Sequence, residues 1–104
     1  EQALVCQQWL REKLSSPFEG KTLVITHFAP SLKSHDPRYG VNPGTVGFCN
    51  ALEDLLGQAD VWLHGHLHCA SNYQVGKCRV MANPLGYYRK REQSDFLPQY
   101  LVTI

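Results

Sequence analysis

The chain has 104 residues, of which 43% are hydrophobic and 18% charged, and carries a net charge of +1. Those figures suit one globular domain able to bury a core, and they exclude a disordered chain. They also argue against a strongly basic nucleic-acid surface, and no run nears the roughly 18 consecutive apolar residues of a membrane span. In chain order, residues 3–14 read as an amphipathic helix, with Ala3, Cys6, Leu10 and Leu14 at helical spacing and Val5 and Trp9 widening the stripe. Ser15-Ser16-Pro17 ends it. Thr22-Leu23-Val24-Ile25-Thr26 is short and β-branched, the pattern of a strand buried on both faces.

Residues 33–44, punctuated by Pro37, Gly40 and Pro43, read as a long loop. Residues 45–56 read as one helix with a seam of Val46, Cys49, Leu52 and Leu56, capped by Gly57. Val61-Trp62-Leu63 is a second apolar strand. Strand, helix and strand within this span predict a βαβ unit with parallel strands. Tyr73–Val75 and Cys78–Met81 flank Gly76-Lys77, which predicts a hairpin with a type II′ turn. Asn83-Pro84-Leu85-Gly86 is a turn, and Tyr100–Ile104 reads as a last strand. Trp62 and Phe48 are expected in the core. The basic cluster Arg89-Lys90-Arg91 reads as a solvated turn.

The four cysteines, Cys6, Cys49, Cys69 and Cys78, form no C-x-x-C pair. Cys6 and Cys49 fall on apolar helix faces, where a buried thiol is expected. No signal peptide is visible, so free thiols and a cytoplasmic setting are the expectation. The chain opens on Glu1-Gln2 without an initiator methionine and reads as a fragment or a processed piece.

The densest chemistry is His64-Gly65-His66-Leu67-His68, directly after the second apolar strand. His66 and His68 are two apart and share one face of an extended segment. His27 directly follows the first strand. Ligands of open α/β sheets bind outside the carboxyl ends of the strands, so His27, His66 and His68 are expected to meet at one edge and hold metal. Gly65 suits a close turn as the strand ends. His64 is expected in a supporting or core-polar role, and His35 and Arg38, in the loop after His27, are candidate substrate contacts.

Thr26-His27-Phe28-Ala29-Pro30, followed by Gly65-His66-Leu67-His68 and then Asn83-Pro84-Leu85-Gly86-Tyr87, resembles the later signatures of the calcineurin-like metallophosphoesterases. The resemblance runs from about Thr22 to Tyr87. It implies an α/β fold, the C-terminal half of a four-layer α/β/β/α sandwich, with residues 1–104 forming part of one domain. It implies two divalent ions (Mn, Fe, Zn or Ni), one held by His27 and His66 and the other by His68. It further implies hydrolysis of a phosphate ester, mono- or diester, by a metal-bridging hydroxide.

The family's Asp-x-His, Gly-Asp and Asn-His motifs do not occur in these residues. Of the aspartates, Asp54 reads as a helix-face residue and Asp60 starts a strand at the far end. Asp95 lies in a polar tail, and Asp36 lies in the loop after His27. The expectation is therefore one side of a phosphoesterase centre, inactive alone and with any metal bound only partially. An exposed sheet edge would self-associate or dock to a missing N-terminal half. Two rival readings are a small structural-zinc module using His66, His68, Cys69 and Cys78, and an interaction module derived from the same fold. Neither membrane nor nucleic acid is indicated as a partner.

Overall fold

The structure, a computed structural model, describes residues 1–104, except that the side chains of Val46 and Phe48 lie outside the description. It is a small mixed α/β domain. A helix, α1 (Gln2–Ser15), precedes strand β1 (Leu23–Thr26), and a single 3-10 turn spans Leu32–Ser34. Two short helices follow, α2 (Pro43–Phe48) and α3 (Glu53–Leu56), then strands β2 (Val61–His64), β3 (Ser71–Val75) and β4 (Cys78–Ala82). Two further 3-10 turns, Tyr88–Lys90 and Glu92–Asp95, precede an irregular tail.

The strands form one sheet in the order β1-β2-β4-β3. β1 and β2 are parallel, with Leu23 opposite Val61 and Thr26 opposite His64, as the βαβ pattern predicts. The hairpin also forms, with Val75 opposite Cys78. Gly76 takes φ +59 while Lys77 keeps a negative φ, the signature of a type II′ turn. β4 then lies parallel to β2, Leu63 opposite Met81, so the sheet has three adjacent parallel strands and one antiparallel edge.

The core lies on one face of this sheet. Val24, Trp62, Cys78 and Val80 point from the strands onto Leu52, Leu55, Leu56 and Ala59. Trp62 is fully buried. Its indole N–H donates to Thr26 Oγ1 at 3.0 Å, which satisfies a donor that would otherwise be buried alone.

Several expectations are corrected. β1 is not buried on both faces: it is an edge strand, and Leu23 and Ile25 are exposed. α1 forms and stops where Ser16 turns extended ahead of Pro17, but none of its residues is buried. Only Leu10 and Leu14 pack on the core, so Cys6 is exposed rather than buried. Helix 45–56 is two helices. After Cys49, Asn50 N–H donates to Ala29 O at 2.8 Å and Leu52 N–H to Pro30 O at 2.9 Å, which pulls the chain into extended pairing with the loop after β1. The Gly-Thr-Val-Gly composition of 44–47 offers a helix little resistance to that competition.

Gly57 caps α3, though in right-handed geometry. Tyr100–Ile104 is not a strand. Asn83 pins the tail by exchanging two hydrogen bonds with Leu97, at 2.8 and 2.9 Å. Tyr100 and Val102 then line a cavity of about 410 Å³ against Leu63 and Met81, on the sheet face away from the core. The expected core position of Phe48 and the seam position of Val46 lie outside the described residues. Among the described residues no helix is long and apolar enough to cross a membrane.

Candidate metal centre

β1 and β2 run side by side and end together, so the residues after them are delivered to one sheet edge. Gly65 N–H donates to His27 O at 3.0 Å and joins the two chain ends just past the ladder. The next residue turns sharply. Leu67 N–H donates to Gly65 O at 2.7 Å around His66, which sits at φ +63. A non-glycine residue in that region is strained, and such strain concentrates at functional sites. Gly65 is not the strained residue. Its φ is not positive, and a Cβ there would meet His27 at 3.7 Å, ordinary van der Waals contact.

The turn aims His66 at His27. Their ring nitrogens, His66 Nδ1 and His27 Nε2, lie 3.1 Å apart, with the rings steeply inclined. Phe28 packs edge-on against both, at 5.2 Å from His27 and 4.8 Å from His66. Burial pushes the His66 imidazole below its ordinary pKa, and the neighbouring His27 and His68 push it further. A neutral imidazole is the form that ligates metal.

His68 is held separately. Its Nδ1 lies 3.0 Å from Glu92 Oε1, and its ring meets Tyr87 edge-on at 4.4 Å. Glu92 also accepts the Tyr87 backbone N–H at 2.7 Å and Arg38 Nη2 at 2.7 Å. Arg38 also donates to Asp36 Oδ2, from Nε at 3.0 Å and from the same Nη2 at 2.5 Å, and that Nη2 lies 3.3 Å from the His68 carbonyl. The Tyr87 amide above all, then Arg38 and His68, hold the Glu92 carboxyl below the usual range, and Arg38 does the same for Asp36.

The structure thus joins His27 to His66, and His66 shares a cavity wall with His68. His66, His68, Arg38, Asn42, Lys90 and Glu92 line a cavity of about 330 Å³. Arg38 reaches the site, but its charge is spent on two carboxylates rather than left for substrate. Lys90 is the more open cation there, stacked over Tyr39 and Tyr87 at 5.8 and 5.6 Å. His35 is turned back onto the Leu32 carbonyl at 2.9 Å and does not line this cavity.

His64 is buried, with Nδ1 against the Gly65 carbonyl at 3.2 Å, and its Nε2 has no hydrogen-bond partner. Burial lowers its pKa, consistent with a neutral core-polar residue. Glu92 escapes a reading of the sequence because it follows Arg89-Lys90-Arg91, a run that reads as solvated. Its one local cue is Gly86, at φ +73, where a Cβ would collide with Glu92 Cβ.

The structural-zinc reading fails on geometry. Cys78 is sealed in the apolar core on β4, while Cys69 packs with Ala29, Cys49 and Leu67. Among the described residues no group of three or more His, Cys, Asp or Glu side chains is arranged to hold an ion. The two rings share a hydrogen bond in which one ring nitrogen donates to the other, and the same spacing is compatible with two ligands of one ion once that proton is displaced. Metal–nitrogen bonds of about 2.0–2.1 Å put neighbouring ligand nitrogens about 2.9–3.4 Å apart, and the observed spacing is 3.1 Å. The aspartates do not complete the set. Asp54 pairs with Arg11, Asp60 caps Thr22 N–H at the opposite end of the sheet, Asp36 faces Arg38, and Asp95 lines the separate cavity beside Leu63 and Met81. No family model, curated protein or solved structure matches the chain.

Proposed function

We propose that this chain supplies the histidine side of a two-metal phosphoesterase centre of the calcineurin-like kind. The observation that carries the reading is the His27–His66 pair, 3.1 Å between ring nitrogens, at the carboxyl ends of adjacent parallel strands. The strained backbone of His66 supports it, because a bystander histidine gains nothing from that conformation. In this reading His27 and His66 hold one divalent ion and His68 the other, and the four-stranded sheet is one layer of the sandwich. When bound, such ions activate water at neutral pH and stabilise charge on phosphoryl oxygens.

The chain's own residues set the stage. Phe28 packs edge-on against both rings of the pair, which stays open to solvent. Lys90, on the cavity wall, offers a cation to a phosphate ester. The carboxylates that a two-metal centre also needs would come from a further segment, docked along the open edge of β1 where Leu23 and Ile25 are exposed. A second reading, an interaction module of the same fold, draws on that open edge.

Titration calorimetry with Mn²⁺, Zn²⁺ and Ni²⁺, beside an aryl-phosphate assay, tests the proposal. Weak binding of at least one ion, with the His27–His66 component lost in both His27→Ala and His66→Ala, and without hydrolysis, is the expected result. A binding isotherm that neither substitution changes would overturn the metal reading in favour of the interaction module. Hydrolysis lost on His66→Ala would overturn the claim that the centre is incomplete.

A further inference from the structure

We infer that Glu92 is a positioning residue that fixes the proton of His68 on Nδ1 and so leaves Nε2 bare toward the cleft. The inference deepens the metal reading above and rests on it for its purpose, though not for its geometry. The Glu92 side chain is 2% exposed, and three donors from different parts of the chain converge on it. Tyr87 N–H and His68 share Oε1, while Arg38 takes Oε2.

A carboxylate in that setting is ionised and can only accept. A neutral His68 must therefore donate from Nδ1, since a bare Nδ1 lone pair 3.0 Å from Oε1 would be repelled. The other ring nitrogen is then the acceptor, the form a metal takes. Tyr87, edge-on at 4.4 Å, hinders the ring from turning over. A histidine ligand oriented by a carboxylate on its second nitrogen is how metal sites keep tautomer and direction.

Glu92 is itself held in place. Arg38 bridges it to Asp36, so a residue of the loop after His27 braces a residue beyond the hairpin. Gly86 clears the space, because any Cβ at that position would overlap the Glu92 side chain. The Asn83–Tyr87 turn and the buried carboxylate are thus one device: the turn contributes an amide donor at Tyr87 and a vacancy at Gly86.

The test reads the ring nitrogens of His68 by ¹H–¹⁵N NMR in mildly alkaline buffer, first in the unaltered chain and then in variants. The expected result is the Nδ1–H tautomer in the unaltered chain. Glu92→Gln keeps an acceptor oxygen and should retain that tautomer. Glu92→Ala and Gly86→Ala should both release it toward the Nε2–H form that free imidazole side chains favour. A second readout is zinc alone: Glu92→Ala should weaken the ion held by His68 about 10–100-fold, while the His27–His66 ion is unchanged.

An Nε2–H ring in the unaltered chain would overturn the role of Glu92 outright, and that measurement needs no variant to fold. So would an unchanged Nδ1–H ring in a folded Glu92→Ala protein. Failure of the unaltered chain to bind zinc at all would instead overturn the metal reading, and with it the purpose assigned to Glu92, whatever the tautomer.

Discussion

The backbone of His66 offers a sharp test, because it reverses the usual order of two substitutions. His66→Ala and His66→Gly both remove the imidazole and its contacts with His27 and Phe28. They differ only in how the backbone bears φ +63. In an ordinary strand or helix, glycine is the worse choice by roughly 0.5–1 kcal/mol. In the left-handed region alanine pays about 1–2 kcal/mol of steric strain, and glycine's greater freedom in the unfolded chain offsets about 0.4–1 kcal/mol of its advantage. His66→Gly should therefore be the more stable variant, by about 0.8 kcal/mol at the middle of those ranges. For a domain of this size that is a difference in Tm of about 2–6 °C.

Urea unfolding followed by the fluorescence of buried Trp62, with a thermal melt beside it, measures the difference. The same pair of substitutions at Gln74, an exposed position on β3, serves as the control and should show the ordinary order. A His66→Ala protein as stable as His66→Gly, or more so, would show that His66 does not adopt the strained turn. The argument from strain to function would then fall.

Other expectations follow from the same structure. Thiol titration should label Cys6 quickly in the native protein, and Cys49 and Cys78 only on unfolding, since both are buried and burial raises both pKa values. Four reactive thiols in denaturant without reductant confirm that none is bridged; two would show a disulfide. Asp60 accepts Thr22 N–H at 2.8 Å, and that hydrogen bond holds its pKa below the ordinary value. Its contribution is present above the unfolded pKa, about 3.9, and is lost as the pH falls through the lower folded value. Asp60→Asn should thus flatten the decline of the urea midpoint in acid; an unchanged acid limb counts against it. Sedimentation over a range of concentrations should show association of the unaltered chain and less of it for Ile25→Lys, which puts a charge on the open edge. A monomer throughout would refute the reactive edge.

What the sequence made legible was local. The alternation around Gly76 specified the hairpin, its turn and its register, and the two short apolar runs specified a parallel pair whose ends place His27 near His66. The rest depended on partners far along the chain. The break between α2 and α3 arises from hydrogen bonds to Ala29 and Pro30, which no helical periodicity reports. β1 looked doubly buried because its residues are uniformly apolar, yet it lies at an edge. Glu92 was invisible for the opposite reason: its neighbours are charged, and only the tertiary fold buries it beneath Arg38 and His68. Arg38 read as a candidate substrate contact because loops at that sheet edge often carry specificity; its pairing with Asp36 and Glu92 is a tertiary contact that the sequence does not report.

The strand order β1-β2-β4-β3 also has a kinetic meaning. The β3–β4 hairpin closes over a two-residue turn, and β4 reaches β2 across a short span of chain. β1 must find β2 across the whole loop and both short helices, the costliest closure in the sheet. It has only one neighbour to reward it. The order expected is hairpin first, β2 next and β1 last. Since β1 carries His27 and β2 delivers His66, the two imidazoles meet only when the final strand has zipped into place. A probe of their pairing is therefore also a clock for the end of folding.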